Sequence, residues 1–418
     1  MNYSLDILNR LSEINVDKDI KGLSHAIFPG THCPLFGVAL TASYVENLAM
    51  LVVGTSECTY YTKIFSNNRQ KGNDNVYSLV LKEKDVVFGA EKSVREALEY
   101  IKESSNPDGI MIVTTCVPEL IGEDYEGIVD EVEDELNIPI FVVRTEHYKC
   151  NSHIPGMVRA LGAFVKTMKG SKEQKGINIL GHRQEGVKNT ELVKLLDKHN
   201  IEINTIIPSK CKVSEIQLAP RAKLNIVTDM IALDLAKKME KEFKTPYIFF
   251  DKHMNKEAIE SAYKKLEKVL EIDLTSDLKE IKEEYEELFE KTRKILGGKS
   301  FVYGNTPMMA FETAEFLVEL GLEPKLIQVR ELYDVDVKWK DRILELGFDP
   351  YVTRIANIAP LRELYDSLNV ELYVGHENPM LLKSKGIMQV TLDSNAQKIG
   401  YELPIGIMKT LIEKAMEG

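Results

Sequence analysis

The sequence predicts an α/β protein made of three doubly wound, Rossmann-like units, each with a parallel sheet, set around a central cleft. Three observations lead there. From Val45 onward, short apolar runs rich in Val and Ile alternate with helical stretches, and strand–helix–strand repetition builds parallel sheets with helices on both faces. Turn signals, Asn106-Pro-Asp-Gly109 and Asn137-Ile-Pro139, stand just ahead of strands. A polar, glycine-bearing connector at Lys169–Gly176 and a highly charged stretch over 255–295 break the alternation. The units are therefore expected at 1–170, 171–296 and 297–418.

The first unit opens with a helix and loop over 1–25, read as an arm onto another subunit. Its strands are expected at Leu48–Val53, Val76–Val80, Ile110–Val113 and Ile140–Val143, with helices at Ser93–Glu103 and Tyr125–Leu136. The second unit reads as strands Ile177–Leu180, Ile201–Ile207, Leu224–Val227 and Tyr247–Phe250, with helices at Thr190–His199, from Val213, and at Met230–Phe243. The charged stretch that ends it reads as a solvated helical face bridging two units. The third unit has strands at Ser300–Tyr303, Pro324–Val329, Tyr351–Thr353 and Glu371–Val374, and helices at Thr306–Leu320, Lys338–Leu346 and from Pro404. Gly297-Gly-Lys-Ser300 precedes its strand. A phosphate loop must follow one, so no nucleotide site is read here.

Composition narrows the function. The 418 residues carry 65 acidic against 53 basic side chains, a net charge of −12, which argues against nucleic-acid or acidic-membrane partners. No apolar run reaches the roughly 18 residues that cross a bilayer. The opening residues lack the basic and apolar regions of a signal peptide. Five cysteines with no paired spacing point to a reducing, cytoplasmic setting, where thiols bind metal or do chemistry.

Three of those cysteines organise the first unit. Cys33 lies in the breaker-rich loop Phe28-Pro-Gly-Thr-His-Cys33-Pro-Leu-Phe-Gly37. Cys58 follows the buried strand Leu51-Val-Val-Gly54, and Cys116 follows Ile110-Met-Ile-Val-Thr-Thr115. Ligands bind at the carboxyl edge of open α/β sheets, and iron–sulfur clusters take thiolates. A single cysteine after a Val/Ile run is more often simple core. Two at matching strand ends, with a third in a glycine-flanked loop, favour a metal site.

Other residues invite both readings. Glu146-His147-Tyr-Lys-Cys150-Asn-Ser-His153 follows a strand and offers imidazole and thiolate donors; its plain alternative is a polar surface loop. Cys211, flanked by Lys210 and Lys212, is either a thiolate ligand or an idle turn cysteine. His376 follows strand Glu371–Val374 and is a candidate proton donor or a loop histidine. Arg221, Lys223 and Arg354 are candidate carboxylate binders or ordinary surface cations.

At this point the chain resembles the nitrogenase component 1 superfamily. The resemblance rests on Asp85-Val-Val-Phe-Gly-Ala-Glu-Lys92, Cys116-Val-Pro-Glu-Leu-Ile-Gly-Glu-Asp-Tyr125, Pro139-Ile-Phe-Val-Val-Arg144 and Ser214-Glu-Ile-Gln-Leu-Ala-Pro-Arg-Ala-Lys-Leu-Asn225. It implies that Cys33, Cys58 and Cys116 hold an interfacial iron–sulfur cluster, either [4Fe–4S] or an eight-iron bridging cluster. Cys150 and Cys211 are further metal candidates. The missing fourth ligand would come from a partner, with Glu57 as a local candidate. The resemblance also implies a homologous second subunit or a second copy of the chain, and an iron-protein-like ATPase that alone uses ATP.

Departures from the family matter equally. Leu224-Asn-Ile-Val-Thr-Asp229 places Asp229 where nitrogenase has its cofactor cysteine, and no histidine stands near Leu392–Asp393. The implied function is a nitrogenase-like reductase subunit relaying electrons to a substrate in the cleft. The alternatives are a non-catalytic scaffold for metallocluster assembly and a tetrapyrrole reductase subunit.

Overall fold

Parallel pairing dominates the chain, because each apolar strand leads into a helix that crosses back over the sheet before the next strand forms. The structure is a computed structural model that describes residues 4–23, 33–69, 75–150, 152–183, 185–355 and 359–417. The chain is mixed α/β, with two four-stranded sheets and one six-stranded sheet. It folds as two compact units, one of residues 29–185 with 200–251, the other of 1–28, 186–199 and 252–418.

The first of these holds both four-stranded sheets. Strands β1 (Leu48–Gly54), β2 (Val76–Val80), β3 (Gly109–Thr114) and β4 (Ile140–Arg144) pair in the order β2-β1-β3-β4, all parallel. Every residue of β1 and β3 is buried, which explains their unbroken apolar character: helices cover both faces. Strands β5 (Ile177–Leu180), β6 (Ile203–Ile207), β7 (Leu224–Val227) and β8 (Tyr247–Phe249) repeat the same winding in the order β6-β5-β7-β8. A short parallel pair, Val45–Glu46 with Cys211–Lys212, ties the two halves. Their facing sides share one apolar core that includes Met50, Phe141, Met157, Phe164, Leu235 and Met239.

Four helices of this unit position the site: α1 (Pro34–Ala42), α2 (Ser56–Arg69), α3 (Cys116–Ile121) and α4 (Ile154–Ala163). Helices α1 and α4 touch backbone to backbone. A Cβ on Gly37 would stand 1.9 Å from the His153 carbonyl oxygen, and one on Gly156 would stand 1.9 Å from that of Pro34. Glycine is the only residue that fits at either point.

The other unit carries β9 (Ser300–Tyr303), β10 (Glu323–Val329), β11 (Tyr351–Arg354), β12 (Leu372–Val374) and β13 (Met388–Val390), parallel in the order β11-β10-β9-β12-β13. Asn9–Arg10 adds an antiparallel edge strand to β11. The helix expected to open the 1–25 stretch does not form among its described residues, 4–23. Instead, 3-10 turns stand at Leu5–Ile7, Leu11–Glu13 and Asp17–Asp19. Long-range partners outweigh the weak local helix signal: Asp17 accepts from Arg354 at 2.8 Å and from the Leu332 N–H at 2.8 Å, and Ser12 bonds Asp349 at 2.8 Å. The opening segment thus lies on its own chain. The charged stretch likewise forms two helices, Lys256–Leu270 and Lys279–Leu296, each with a buried stripe. Tyr263 of the first stacks on Tyr401 at 6.2 Å.

Candidate metal-cluster site

The winding of the first sheet makes the site. The connection from β1 leads to β2 on one side, and that from β3 leads to β4 on the other. The order therefore reverses between β1 and β3, which opens a crevice at their carboxyl ends. Both adjoining cysteines emerge there. Cys58 is the third residue of α2 and Cys116 the first of α3, so both strands turn into helices sooner than strand propensity alone suggests. Val53 lies in register with Thr114. A Cβ on Gly54 would fall 2.0 Å from Thr115 Oγ1, so glycine lets the two strand ends approach. Thr115 Oγ1 then donates to the Val53 carbonyl at 3.0 Å.

Cys33 stands in extended conformation directly before α1. The backbone N–H groups of Leu35 and Phe36 face its sulfur. The loop over 28–32, from which the sequence introduced this cysteine, lies outside the described residues. The three thiols are half-buried and free of disulfides. Burial pushes the Cys33 thiol up to about 11, and negative charge on Cys116 and Cys58 adds to the rise. The Cys116 thiol is raised by burial, then by Cys58. Cys33 thus feels the other two sulfurs, and Cys116 feels Cys58. Without a cation, ionising Cys33 and Cys116 is opposed by desolvation and by repulsion from a neighbouring thiolate. A metal reverses that balance, since coordinating thiols are deprotonated outright. The donor set suits an iron–sulfur cluster, whose irons take thiolates.

The turn after β4 closes one side. Glu119, one helical turn beyond Cys116, accepts the N–H groups of Thr145 at 2.6 Å and Glu146 at 2.8 Å, and the Thr114 hydroxyl at 2.7 Å. This brings His147 Nδ1 to 3.3 Å from Cys116 Sγ. Cys150 Sγ receives Arg159 Nη1 at 3.2 Å and lies 3.4 Å from the Glu146 carbonyl oxygen. His153 packs edge-on against Phe36, ring centroids 5.6 Å apart. The roles of Glu119 and Arg159 were not read from the sequence. The signal for the first was present in Cys116-Val-Pro-Glu119, a carboxylate one turn from a candidate ligand.

The remaining candidates lie elsewhere. Cys211 is 2 % exposed in the apolar core, where burial drives its thiol far up. Its flanking lysines do not offset the loss of solvent, so its environment is that of a packing residue. We expect Cys211→Ala to leave bound iron unchanged and cost about 1–2 kcal/mol in stability, as iron analysis and urea denaturation would measure; loss of all iron would show the ligand set to be wrong. Glu57 is exposed, and its carboxyl is lowered by its own backbone N–H and by Thr55 and Ser56. Asp229 accepts the Ile231 N–H at 3.2 Å, as a helix cap. Arg221 bonds Asn204, and Arg354 is engaged by Asp17. In the other unit, His376 follows β12 and pairs with Asp393 at 2.8 Å, each side chain 54 % exposed.

Buried parallel sheets and a switch-point crevice edged by three thiols define an α/β protein with a candidate metal site. Residues 33–402 match the family model described as nitrogenase component 1 type oxidoreductase, and the chain belongs to that family. It is 28 % identical over 312 residues to the nitrogenase molybdenum-iron protein alpha chain of Methanosarcina barkeri, covering 69 % of this chain and 57 % of that one. It is 31 % identical over 224 residues to the nitrogenase iron-molybdenum cofactor biosynthesis protein NifE of Clostridium pasteurianum, covering 52 % and 49 %. The chain spans about half the length of these curated relatives. Among solved structures, nitrogenase Cp1 at pH 6.5 superposes with a TM-score of 0.79 at 17 % identity, covering 94 % of each chain; that likeness concerns the fold. No described helix is long and apolar enough to cross a membrane.

Proposed function

We propose that this chain is the cluster-bearing subunit of a nitrogenase-like reductase. What supports this reading is that Cys58 and Cys116 stand at the switch point of the first sheet, with Cys33 within electrostatic reach of both. An iron–sulfur cluster bound there supplies one-electron transfer at low potential. The residues do the rest. Three thiolates would anchor the cluster, the Leu35 and Phe36 N–H groups of α1 face the Cys33 sulfur, and the half-buried setting would limit solvent. Beside them Tyr60 of α2 and Leu120 of α3 are 64 % and 75 % exposed. Such an apolar surface supports a seat for a second subunit or a second copy. ATP use then belongs to an iron-protein-like partner.

A scaffold role is the second reading. It is favoured by the NifE relative and by Asp229, which caps a helix where a cofactor cysteine would stand. Anaerobic preparation with iron and sulfide analysis tests the shared premise: about four irons per chain fit either one [4Fe–4S] cluster per chain or an eight-iron bridge shared by two chains. Electron paramagnetic resonance then tells the two apart. We expect reductant-, ATP- and partner-dependent substrate consumption from a reductase. Transfer of the cluster to an acceptor without turnover would assign the scaffold role instead.

A further inference from the structure

We propose that His147 sets the reduction potential of the bound cluster by donating its Nδ1–H to the Cys116 sulfur; this rests on the cluster reading above. The 3.3 Å separation between Nδ1 and Sγ is a hydrogen-bond distance. A free thiol can donate to an unprotonated ring nitrogen. Once Cys116 is a metal-bound thiolate it has no proton to give, so the contact is favourable only in the tautomer that carries hydrogen on Nδ1. A donor on a ligand sulfur stabilises negative charge there. It therefore favours the reduced cluster, which carries one electron more, and raises its potential.

The turn that presents His147 is built for this placement. Glu146 adopts left-handed backbone, φ 43° and ψ 45°, which is uncommon for a residue with a side chain and persists only when its surroundings enforce it. Here they do. Its N–H is taken by Glu119, and its carboxylate pairs with Lys149 at 2.6 Å and Arg159 at 3.0 Å. Arg159 also donates to the Thr145 carbonyl. Because Glu119 belongs to the helix that begins at Cys116, donor and acceptor are mounted on the same clamp. Conformational freedom that would otherwise blur a single N–H···S contact is removed. Ligand-orienting contacts of this kind tune metal sites.

The test compares the anaerobically prepared, cluster-loaded wild type with His147→Ala, His147→Asn and Tyr148→Ala. Iron per chain and the midpoint potential would be followed by paramagnetic resonance. We expect His147→Ala to keep its iron and shift to lower potential. His147→Asn, whose amide places an N–H near the Nδ1 position, should recover most of the shift. Tyr148→Ala, a change in the exposed neighbour, should behave as wild type. An unchanged potential in His147→Ala overturns the proposal, as does an equal shift in Tyr148→Ala. Loss of iron in His147→Ala also overturns it, by making His147 a ligand. A wild-type chain that binds no iron–sulfur cluster removes the cluster reading itself, and this inference with it.

Discussion

We expect Cys58→Ala and Cys116→Ala each to bind almost no iron while the chain stays folded. That outcome follows from where the two residues sit. Both are half-buried at the ends of β1 and β3, outside the packed strand interiors, so truncation removes a ligand without opening a large cavity. The stability cost should be about 1 kcal/mol. The loss of metal should be nearly complete, because the two remaining thiols leave iron exposed to solvent and exchange. Iron analysis after anaerobic reconstitution, with circular dichroism as the folding control, reads both quantities. Wild-type iron content in either variant would strip that cysteine of its role.

The second large effect lies away from the thiols. Gly156→Val should destabilise the unit of residues 29–185 and 200–251 by about 3 kcal/mol or more, because its Cβ would stand 1.9 Å from the Pro34 carbonyl oxygen. The obstacle is backbone, which cannot rotate away as a side chain might. Relief requires moving α1 off α4, and with it Cys33. Urea denaturation should show the shift, and iron content should fall with it even though no ligand has been altered. A variant within about 1 kcal/mol of wild type would mean that the helices have room the backbone geometry denies.

Much of this was legible in the residues. Leu48–Val53 and Ile110–Val113 read as buried parallel strands because continuous apolar runs bounded by turn signals leave few other options. The cysteines at their ends followed from the same pattern. Helix onset was read less well. Cys116 looked like the end of a strand, yet it begins α3, since helix boundaries depend on which backbone groups the surroundings satisfy. The opening segment was misread for a related reason. Its Asp17 and Arg10 find partners on and beside β11, more than three hundred residues away, and local periodicity carries no trace of them.

The sequence alone therefore determined the α/β class, the strands that carry the ligand candidates and the absence of a histidine near Leu392–Asp393. Those properties are written in composition and in patterns a few residues long. Only the tertiary structure decided that Cys211 is core, that Cys33 lies within electrostatic reach of Cys58 and Cys116, and that His147 meets a sulfur 31 residues earlier in the chain. Strand order decides which loops share an edge, and that order arises from many weak burial contacts acting together, with no single motif encoding it.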